Sequence, residues 1–333
     1  MSLKNRQWVF LRNPEGVLTP DIFEWREDRA PKVSGKNILV RNRVLSLDPA
    51  NRMWMRGRTY RQQIMPGDVM HGFTISEVVQ SGDPDFKPGD IVETMGGWQD
   101  YALLSSSELS KRDPKIPLEQ LIGIYGITGL TAYFGLKDIG AVKAGDTVVI
   151  SAAAGAVGSA AGQIARNLGA RAVGIAGGAE KCAWLIDQLG FDEAVDYRAD
   201  NFREALKAAC PDGIDVYFDN VGGQVLDAAL RLMNQNGRIV CCGAVSTYDI
   251  EGKPFVSPLL PGVLVAKRLR MEGFIVLDHM QNRGEAEAQL KTWIDAGTLT
   301  PVMDLESGLE RAPETLIRLL AGGNRGKVAV TLD

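Results

Sequence analysis

The sequence predicts an α/β protein in which a doubly wound parallel sheet is joined to a smaller, β-rich part. Three observations favour this architecture: strand-like segments dominate the first third of the chain, strand and helix patterns alternate after it, and a glycine-rich turn follows the first strand of the alternating region. The chain has 333 residues, which at roughly 150 residues per domain suggests two domains.

Composition excludes several functional classes. Hydrophobic residues make up 45% of the chain and charged residues 23%, a balance typical of an ordinary globular protein rather than a disordered one. The formal net charge is −4, so the chain lacks the basic surface of a nucleic-acid-binding protein. The four cysteines are too few and too clustered for a disulfide framework. We interpret them as reduced, buried thiols of a cytoplasmic protein.

One segment has the length of a membrane span. Thr147–Ala165 contains no charged residue, and a bilayer core requires about 20 apolar residues in a helix. The segment is rich in Ala, Gly and Ser, however, so its transfer into lipid is poorly favoured. The N-terminus also lacks the apolar core of a secretory signal. We therefore expect no membrane association.

The first third of the chain is predicted to be β-rich. β-Branched and aromatic residues recur there in short segments separated by Gly, Pro and Asp clusters. The predicted strands are Gln7–Leu11, Ile38–Leu47, Phe73–Gln80 and IVETM at 91–95.

The middle of the chain alternates strand and helix patterns. TVVIS at 147–151 is a continuous apolar strand, and Val157, Ala161, Ile164 and Leu168 then lie on one helical face. Such alternation is typical of βαβ units and a parallel sheet. The strand patterns that follow are RAVGIAG, EAVDY, IDVYFDN and RIVCCGA.

The C-terminal tail is predicted to contain one helix, GLERAPETLIRLLAGG, and one strand, KVAVTL. It is too short to fold alone, so we expect it to pack on the N-terminal part. The predicted domains are therefore 1–126 together with 298–333, and 127–297.

A glycine-rich turn follows the strand at 147–151. Ala152, Gly155 and Gly158 form an A-x-x-G-x-x-G pattern that leads into the next helix. A dinucleotide site requires such a turn because the backbone must approach the pyrophosphate closely and the helix must pack tightly on the sheet. The helix N-terminus then receives the phosphate charge. The alternative is a small-residue helix packed tightly for structural reasons alone.

The second strand of this region indicates which dinucleotide binds. An NAD site usually has an acidic residue about 20 residues after the glycine turn, on the ribose hydroxyl. Here the strand ends in Gly177 and Gly178, and Glu180 lies beyond its end beside Lys181. An open glycine turn with a nearby cation favours the 2′-phosphate of NADP. The alternative for Lys181 is an ordinary exposed helix lysine.

Several motifs occur together in the order known from one protein family. They are GITGLTAYFGL (126–136), AAAGAVGSAAGQIA (152–165), GGAEK (177–181), DYR (196–198), DNVGG (219–223), CGAVSTY (242–248) and GNRGK (323–327). With them the whole chain resembles the zinc-independent medium-chain dehydrogenases/reductases of the leukotriene B4 12-hydroxydehydrogenase / prostaglandin reductase group. It is also similar to bacterial NADPH-dependent curcumin reductase-like enzymes.

The resemblance implies a GroES-like β domain formed by both termini, a Rossmann NADP-binding domain between them, and NADPH-dependent reduction of the C=C bond of α,β-unsaturated ketones and aldehydes. It also assigns residues to the pyrophosphate, the 2′-phosphate and the nicotinamide and ribose. Together with the glycine turn, the cofactor residues are Gly155, Ala156, Val157, Gly158, Ser159, Lys181, Tyr197, Asn220, Cys242, Gly243, Ala244, Val245, Ser246, Thr247, Tyr248, Phe274, Ile275, Val276 and Asn324.

The chain departs from the family at one motif. The family often has DPYMR where this chain has DPANR at 48–52, so Ala50 replaces the tyrosine and Asn51 the methionine. Arg52 is retained, and we expect Arg52 and Tyr60 at the substrate pocket. The pocket wall therefore differs, and the substrate's identity is not transferred.

The residues argue against a zinc site. Catalytic zinc needs about three Cys, His or Glu ligands and structural zinc needs four. Cys182, Cys210 and the adjacent Cys241–Cys242 show no C-x-x-C spacing, and the only histidines are His71 and His279. We interpret both histidines as structural or solvent-exposed and expect no metal.

A tyrosine is the preferred catalytic donor. Reduction of an enone places negative charge on the carbonyl oxygen, which calls for a hydrogen-bond donor there and a proton source for the α-carbon. Tyr248 ends the CGAVSTY loop at the carboxyl end of a predicted strand, where ligands of such sheets bind. We predict Tyr248 as that donor, helped by the ribose hydroxyl, with water or Tyr60 as proton source. The alternatives are that Tyr248 only packs on the cofactor and that Tyr60 lies at the surface or pocket rim.

Two other functions stay open at this point. A quinone reductase on the same fold would prefer quinones to alkenals, and a non-catalytic NADPH-binding protein would bind the cofactor without turnover. We also expect a homodimer, because RMEGFIVLD at 270–278 is an apolar strand near the sheet edge that could pair across a two-fold axis.

Overall fold

The computed structural model describes residues 3–57, 59, 61, 63–249 and 257–332. It divides the chain into two compact units, one formed by residues 1–122 and 303–333 and the other by residues 123–302.

The strands are numbered along the chain. They are β1 (Lys4–Phe10), β2 (Phe23–Arg29), β3 (Ile38–Ser46), β4 (Thr74–Ser81), β5 (Ile91–Thr94), β6 (Tyr101–Leu104), β7 (Ser110–Lys111), β8 (Thr147–Ser151), β9 (Arg171–Ala176), β10 (Glu193–Asp196), β11 (Ile214–Asp219), β12 (Met233–Cys241), β13 (Arg270–Gly273), β14 (Met303–Ser307) and β15 (Lys327–Thr331).

The α-helices are numbered in the same way. They are α1 (Ala50–Arg56), α2 (Leu118–Ile122), α3 (Ile127–Phe134), α4 (Ala156–Asn167), α5 (Ala179–Leu189), α6 (Phe202–Ala209), α7 (Gly223–Leu232), α8 (Leu260–Lys267), α9 (Arg283–Asp295) and α10 (Ala312–Leu320).

The first unit is built on a mainly antiparallel sheet. Its strand order is β14-β15-β3-β4-β5-β7, with β6 also pairing with β3, and β1 and β2 form a separate hairpin. The C-terminal tail joins this unit because β15 pairs antiparallel with β3. Its core includes fully buried Phe10, Met55 and Trp98, and the rings of Phe23 and Trp98 stack with centroids 5.3 Å apart.

The second unit contains a parallel sheet of order β10-β9-β8-β11-β12-β13. Strand β8 lies at its centre and is buried along its whole length. This order confirms the predicted doubly wound α/β class. After β10 the chain crosses over to β11 and builds the other half of the sheet, so the crossing point lies between β8 and β11, with a crevice at their carboxyl ends.

The charge-free segment Thr147–Ala165 does not form one long helix. It comprises β8, a turn and most of α4. Within the described ranges, none of the helices combines the length and apolar character that crossing a bilayer would require.

The two units meet at 122/123 and 302/303, a few residues from the domain boundaries predicted at 126/127 and 297/298. Hydrogen bonds attach both of the intervening segments to the second unit. Thr128 Oγ1 donates to the carbonyl of Gly123, which ties residues 123–126 to α3. At the other boundary, Gln163 of α4 accepts from the N–H of Thr300 and donates to its carbonyl.

The predicted strand at 270–278 was wrong in length. Only Arg270–Gly273 form β13, and a short 3₁₀ helix follows at Val276–Asn282. Phe274 leaves the sheet because its ring packs against the Cα of Gly135, where a side-chain carbon would lie 2.9 Å from Phe274 Cζ. The ring also meets His279 edge-on, with centroids 6.1 Å apart.

Candidate functional site

The carboxyl edge of the parallel sheet carries three neighbouring loops. Strand β8 leads into the glycine turn, β11 into residues 219–223, and β12 into residues 241–248. Since ligands of doubly wound sheets bind at this edge, beside the crossing point, the three loops define the candidate site.

In the glycine turn the backbone folds back closely on itself. Ala152 has φ +48°, a left-handed conformation uncommon for a residue with a side chain. Its carbonyl accepts the N–H of Gly155 at 2.9 Å. A side-chain carbon on Gly158 would overlap this same carbonyl, so α4 can start here only with glycine at that position.

The N-terminus of α4 has the features of a phosphate site. Gly155 is the N-cap residue, and no side-chain hydrogen bond from the described residues caps the helix. The first N–H groups of a helix lack intrahelical acceptors and carry partial positive charge. Ser159 is also a predicted cofactor residue, but its polar groups bond within the helix. Its N–H donates to the carbonyl of Gly155 and its hydroxyl to that of Ala156.

A second cluster lies at the carboxyl ends of β9 and β10. A side-chain carbon on Gly177 would lie 2.9 Å from Nε of Arg198 and 3.0 Å from the ring of Tyr197. The Arg198 guanidinium lies 5.7 Å from the centre of the Tyr197 ring, which is 45% exposed. Lys181 lies in the first turn of α5, directly after the Gly177–Gly178 turn. The predicted 2′-phosphate residues thus share one sheet edge with an additional cation, Arg198.

The loop after β11 is bonded to both neighbouring strand ends. The side chain of Asn220 donates to the carbonyl of Ser151 at 2.7 Å. Its own carbonyl accepts the N–H of Val245 at 3.2 Å. The loops that carry Asn220 and the CGAVSTY motif are therefore held together at the crossing point of the sheet.

Tyr248 reaches back over the end of β12. A side-chain carbon on Gly243 would lie 3.5 Å from the Tyr248 hydroxyl and 3.2 Å from the carbonyl of Asn220. Between them Val245–Thr247 form one 3₁₀ turn, in which Val245 and Ser246 are exposed. Ala244 accepts the hydroxyl of Thr247 at 2.8 Å.

Burial favours the thiol form of the two cysteines at this edge. Burial raises the pKa of Cys241 to about 11 and that of Cys242 to about 12. Because the thiolate is the nucleophilic form, neither residue is suited to covalent catalysis. Cys182 and Cys210 are buried as predicted, whereas Cys241 and Cys242 are half-buried; all four are free.

The segment Phe274–Val276 follows β13. Phe274 directs its ring toward Gly135 and Phe218 within the unit, and Val276 is 6% exposed. Ile275 is half-buried and its backbone is extended. The part of this segment available to a ligand is therefore mainly its backbone and Ile275.

The first unit places the DPANR motif at the start of α1. Arg52 is fully buried and donates to the carbonyl of Gly16 at 2.7 Å. Asn51 is buried as well, accepts the N–H of Asp48 and donates to the carbonyl of His71. Both side chains thus have internal bonding roles, while Ala50 opens the helix.

Two further residues of this unit lie near the ends of the tail helix and strand. Asn324 is 6% exposed and donates to the carbonyl of Gly326 at 3.0 Å. Lys327 is buried, and burial lowers the pKa of its ammonium although Asp48 lies 3.1 Å away. Tyr60, the second predicted catalytic residue, lies outside the described residues.

The histidines have separate environments. Burial lowers the pKa of His71. His279 lies 3.2 Å from the carboxylate of Asp138 and stacks on Phe134, with ring centroids 5.1 Å apart. In the part of the chain that the structure describes, no three His, Cys, Asp or Glu residues are grouped in a way that could hold a metal ion.

Two residues at the site were missed by sequence reasoning. Arg198 belongs to the DYR motif at 196–198, in which a role is predicted only for Tyr197. Asp219 stood first in DNVGG and is 3% exposed, with its carboxylate bonded to several groups at the sheet edge. The available signals were a carboxylate at the end of the apolar strand β11 and a cation two residues after β10.

Comparison with known proteins assigns the chain to a family. One family model, described as the N-terminal domain of oxidoreductase, matches residues 6–111, and another, described as zinc-binding dehydrogenase, matches residues 156–292. NADPH-dependent curcumin reductase of Escherichia coli (strain K12) is 42% identical, over 98% of this chain and 96% of its own length.

A plant relative and a solved structure agree with this assignment. The NADP(+)-dependent 2-alkenal reductase of Nicotiana tabacum is 41% identical, over 89% of this chain and 88% of its own. The crystal structure of CurA from Vibrio vulnificus in complex with NADPH has a TM-score of 0.94 at 40% identity, over 98% of this chain and 99% of that one. With the motifs described above, these matches show that the chain belongs to the zinc-independent medium-chain dehydrogenases/reductases of the leukotriene B4 12-hydroxydehydrogenase / prostaglandin reductase group, a family of oxidoreductases.

Proposed function

We propose that this chain is an NADPH-dependent reductase of the C=C bond of α,β-unsaturated ketones and aldehydes. The observation that carries the proposal is the position of the Tyr248 hydroxyl over Gly243, at the sheet edge where α4 also begins. A dinucleotide-binding turn and a phenol donor at one edge suit hydride chemistry at a carbonyl-bearing substrate. The names of the two relatives, a curcumin reductase and a 2-alkenal reductase, support the same substrate class.

The residues present fit NADPH. Gly158 lets the start of α4 pack against the carbonyl of Ala152, and the first N–H groups of α4, which lack intrahelical acceptors, would bind the pyrophosphate. Lys181, Tyr197 and Arg198 would hold the 2′-phosphate, and Asn220 and the 242–248 loop the nicotinamide and its ribose. When bound, NADPH supplies a hydride to the β-carbon of the enone.

The side chains of the protein supply orientation and charge stabilisation. Tyr248 donates a hydrogen bond to the substrate's carbonyl oxygen, and this bond strengthens as negative charge develops there. Water or Tyr60 then delivers a proton to the α-carbon. Arg52 is buried within its own unit and donates to the carbonyl of Gly16. We therefore propose that it shapes the wall of the substrate pocket and does not contact the substrate.

A substrate panel tests the proposal. NADPH oxidation is followed with an alkenal, an enone, the corresponding saturated ketone as control, and a quinone, and the products are identified. We expect the saturated ketone as the product of the enone and no turnover of the control. Preferential turnover of the quinone would favour a quinone reductase. NADPH binding without any turnover would favour a non-catalytic protein.

Assembly and location form a second part of the proposal. Among the described strands, β13 pairs only with β12, so its other edge is open to a strand of a second copy. We infer a homodimer that forms through this edge, in the cytoplasm, where thiols such as Cys241 stay reduced. Light scattering coupled to size-exclusion chromatography gives the mass, and Glu272→Pro should weaken the dimer. A monomeric parent protein would contradict this inference.

A further inference from the structure

The carboxylate of Asp219 is extensively hydrogen-bonded at the carboxyl edge of the parallel sheet. Its Oδ1 accepts the backbone N–H groups of Val221 at 3.0 Å and Gly222 at 2.8 Å. The same oxygen lies 3.2 Å from Ser151 Oγ and 3.1 Å from the Tyr217 hydroxyl. Asp219 is 3% exposed. A carboxylate is costly to bury, and these donors offset part of that cost.

These bonds join the two halves of the parallel sheet. Ser151 ends β8 and Asp219 ends β11, so their contact spans the crossing point of the sheet. The Ser151 hydroxyl also accepts the N–H of Asn220 at 2.8 Å. The side chain of Asn220 then donates to the carbonyl of Ser151. Asn220 therefore has little freedom to move relative to β8.

The backbone of Asp219 extends the connection to the third loop. Its carbonyl accepts the N–H groups of Cys242 at 2.9 Å and Gly243 at 3.1 Å. The next residues continue the pattern, because Val221 accepts both the N–H of Ser246 and its hydroxyl, the latter at 2.6 Å. The loop that carries Tyr248 is thus attached to the 219–223 loop, whose shape the carboxylate sets.

We propose that Asp219 is a positioning residue for the nicotinamide end of the cofactor site. Its carboxylate fixes the 219–223 loop and, through it, Asn220 and the 242–248 loop, without touching the cofactor. The adenosine end lies at other loops, those after β9 and β10, where Asp196 has the corresponding place. This inference rests on the proposed cofactor, so its test separates the two ends of that molecule.

The test compares NADPH with adenosine 2′,5′-bisphosphate, which has the 2′-phosphate but no nicotinamide. Affinities are measured by calorimetry for the parent and for Asp219→Asn. We expect the variant to bind NADPH about tenfold more weakly, since the nicotinamide contacts are no longer held in place in advance. Binding of the bisphosphate should stay within about twofold. In the variant the two affinities therefore approach each other.

Asp215 provides a matched control. It lies on the same strand and also accepts a backbone N–H, that of Thr147, but at the amino end of β11. Asp215→Asn should change neither affinity by more than about twofold, whatever its thermal midpoint. If Asp219→Asn does not fold, Ser151→Ala replaces it, because it removes the hydroxyl that joins Asp219 to Asn220; the same difference between ligands is expected, though smaller.

Four outcomes separate the hypotheses. A loss confined to NADPH supports the positioning role. An equal loss for both ligands, or no loss for either, overturns it, because the carboxylate would then act on the whole unit or on nothing at the site. A parent protein that binds the bisphosphate and NADPH but reduces no enone refutes the proposed reaction and leaves this inference standing.

Discussion

The carboxylate of Asp196 accepts the backbone N–H of Gly178 at 2.8 Å. The same oxygen accepts the N–H of Arg198 at 2.9 Å, so the loops after β9 and β10 are held by one side chain. Gly178 has φ +95°, a conformation that favours glycine. As a result this oxygen is occupied by backbone donors that fix the two loops, next to which Lys181 and Arg198 lie.

The first prediction concerns the choice of cofactor. NADPH should bind at least about tenfold more tightly than NADH, which corresponds to about 1.4 kcal/mol. Lys181→Ala and Arg198→Ala should each remove much of this preference, and the double variant should remove most of it, since each cation contributes to the 2′-phosphate site. Fluorescence titration with both cofactors provides the measurement.

Lys207→Ala is the control for this series. Lys207 is an exposed cation in the last turn of α6, toward the opposite edge of the sheet. It should leave the ratio of the two affinities unchanged. Equal affinities of NADPH and NADH for the parent protein would contradict the assignment of the cluster.

The parallel sheet could be predicted from the sequence because its strands are continuous apolar segments. TVVIS coincides with β8, and RAVGIA, the first six residues of RAVGIAG, coincides with β9. The length of β13 could not be predicted, because the apolar segment GFIV does not show that Phe274 packs on Gly135 instead of continuing the strand. That contact joins residues distant in sequence, and periodicity carries no information about it.

Only part of the candidate site could be predicted from the sequence. The glycine turn has a local cause, since Gly158 must leave room for the carbonyl of Ala152, and local causes leave sequence patterns. The contact between Ser151 and Asp219 depends on β8 lying beside β11, which only the strand order reveals. The interior position of Arg52 likewise depends on Gly16, which is far from it in the chain.

The second prediction concerns metal. Since the described residues hold no cluster suited to a metal ion, the purified enzyme should keep full activity after exhaustive chelation. Activity and zinc content are measured before and after dialysis against a chelator. Stoichiometric zinc that is lost together with activity would contradict the assignment to the zinc-independent group.

The third prediction concerns strain in the glycine turn. Ala152 occupies the left-handed region at φ +48°, which costs a residue with a side chain about 1–2 kcal/mol. Ala152→Gly removes this cost but adds freedom to the unfolded chain, worth about 0.4–1 kcal/mol. We expect a net gain in unfolding free energy of about 0.5–1 kcal/mol by urea denaturation.

Ala160→Gly serves as the opposite control. Ala160 lies buried inside α4, where glycine should lower the unfolding free energy by about 1 kcal/mol. A loss of stability in both variants would show that the turn is not strained at Ala152.

The fourth prediction concerns the pH dependence of stability. Burial raises the pKa of Asp219 above its usual value. Between the unfolded pKa of about 3.9 and the raised folded value, the folded protein therefore binds more protons than the unfolded chain. The contribution of Asp219 to stability is full below this interval and falls as pH rises through it.

Asp219→Asn removes this titration. The unfolding free energy of the parent minus that of the variant should thus decrease from about pH 4 upward and then level off above the folded pKa. Denaturant midpoints at a series of pH values give this difference, in which the other carboxyl groups cancel. A difference that increases over the same interval would mean that hydrogen bonding, not burial, dominates the environment of Asp219.

The fifth prediction concerns Tyr248. If its hydroxyl stabilises the developing enolate, the interaction is stronger in the transition state than in the bound substrate, so its removal should lower kcat more than it raises KM. Loss of one such donor typically costs about 10²–10³ in kcat, and help from the ribose hydroxyl would reduce that loss. Tyr248→Phe should leave NADPH affinity nearly unchanged, because the ring remains. Single-turnover hydride transfer to an enone is the decisive measurement.

Tyr133→Phe is the matched control for Tyr248→Phe. The Tyr133 hydroxyl accepts Lys137 Nζ at 3.2 Å within the helical layer, so its loss removes a phenol without altering the carboxyl edge. The control should transfer hydride at the parent rate. If the hydride-transfer rate of Tyr248→Phe also stays within about twofold of the parent rate, the phenol does not stabilise the transition state for hydride transfer. The same measurement on Tyr60→Phe then decides whether the other predicted tyrosine supplies the proton or the hydrogen bond.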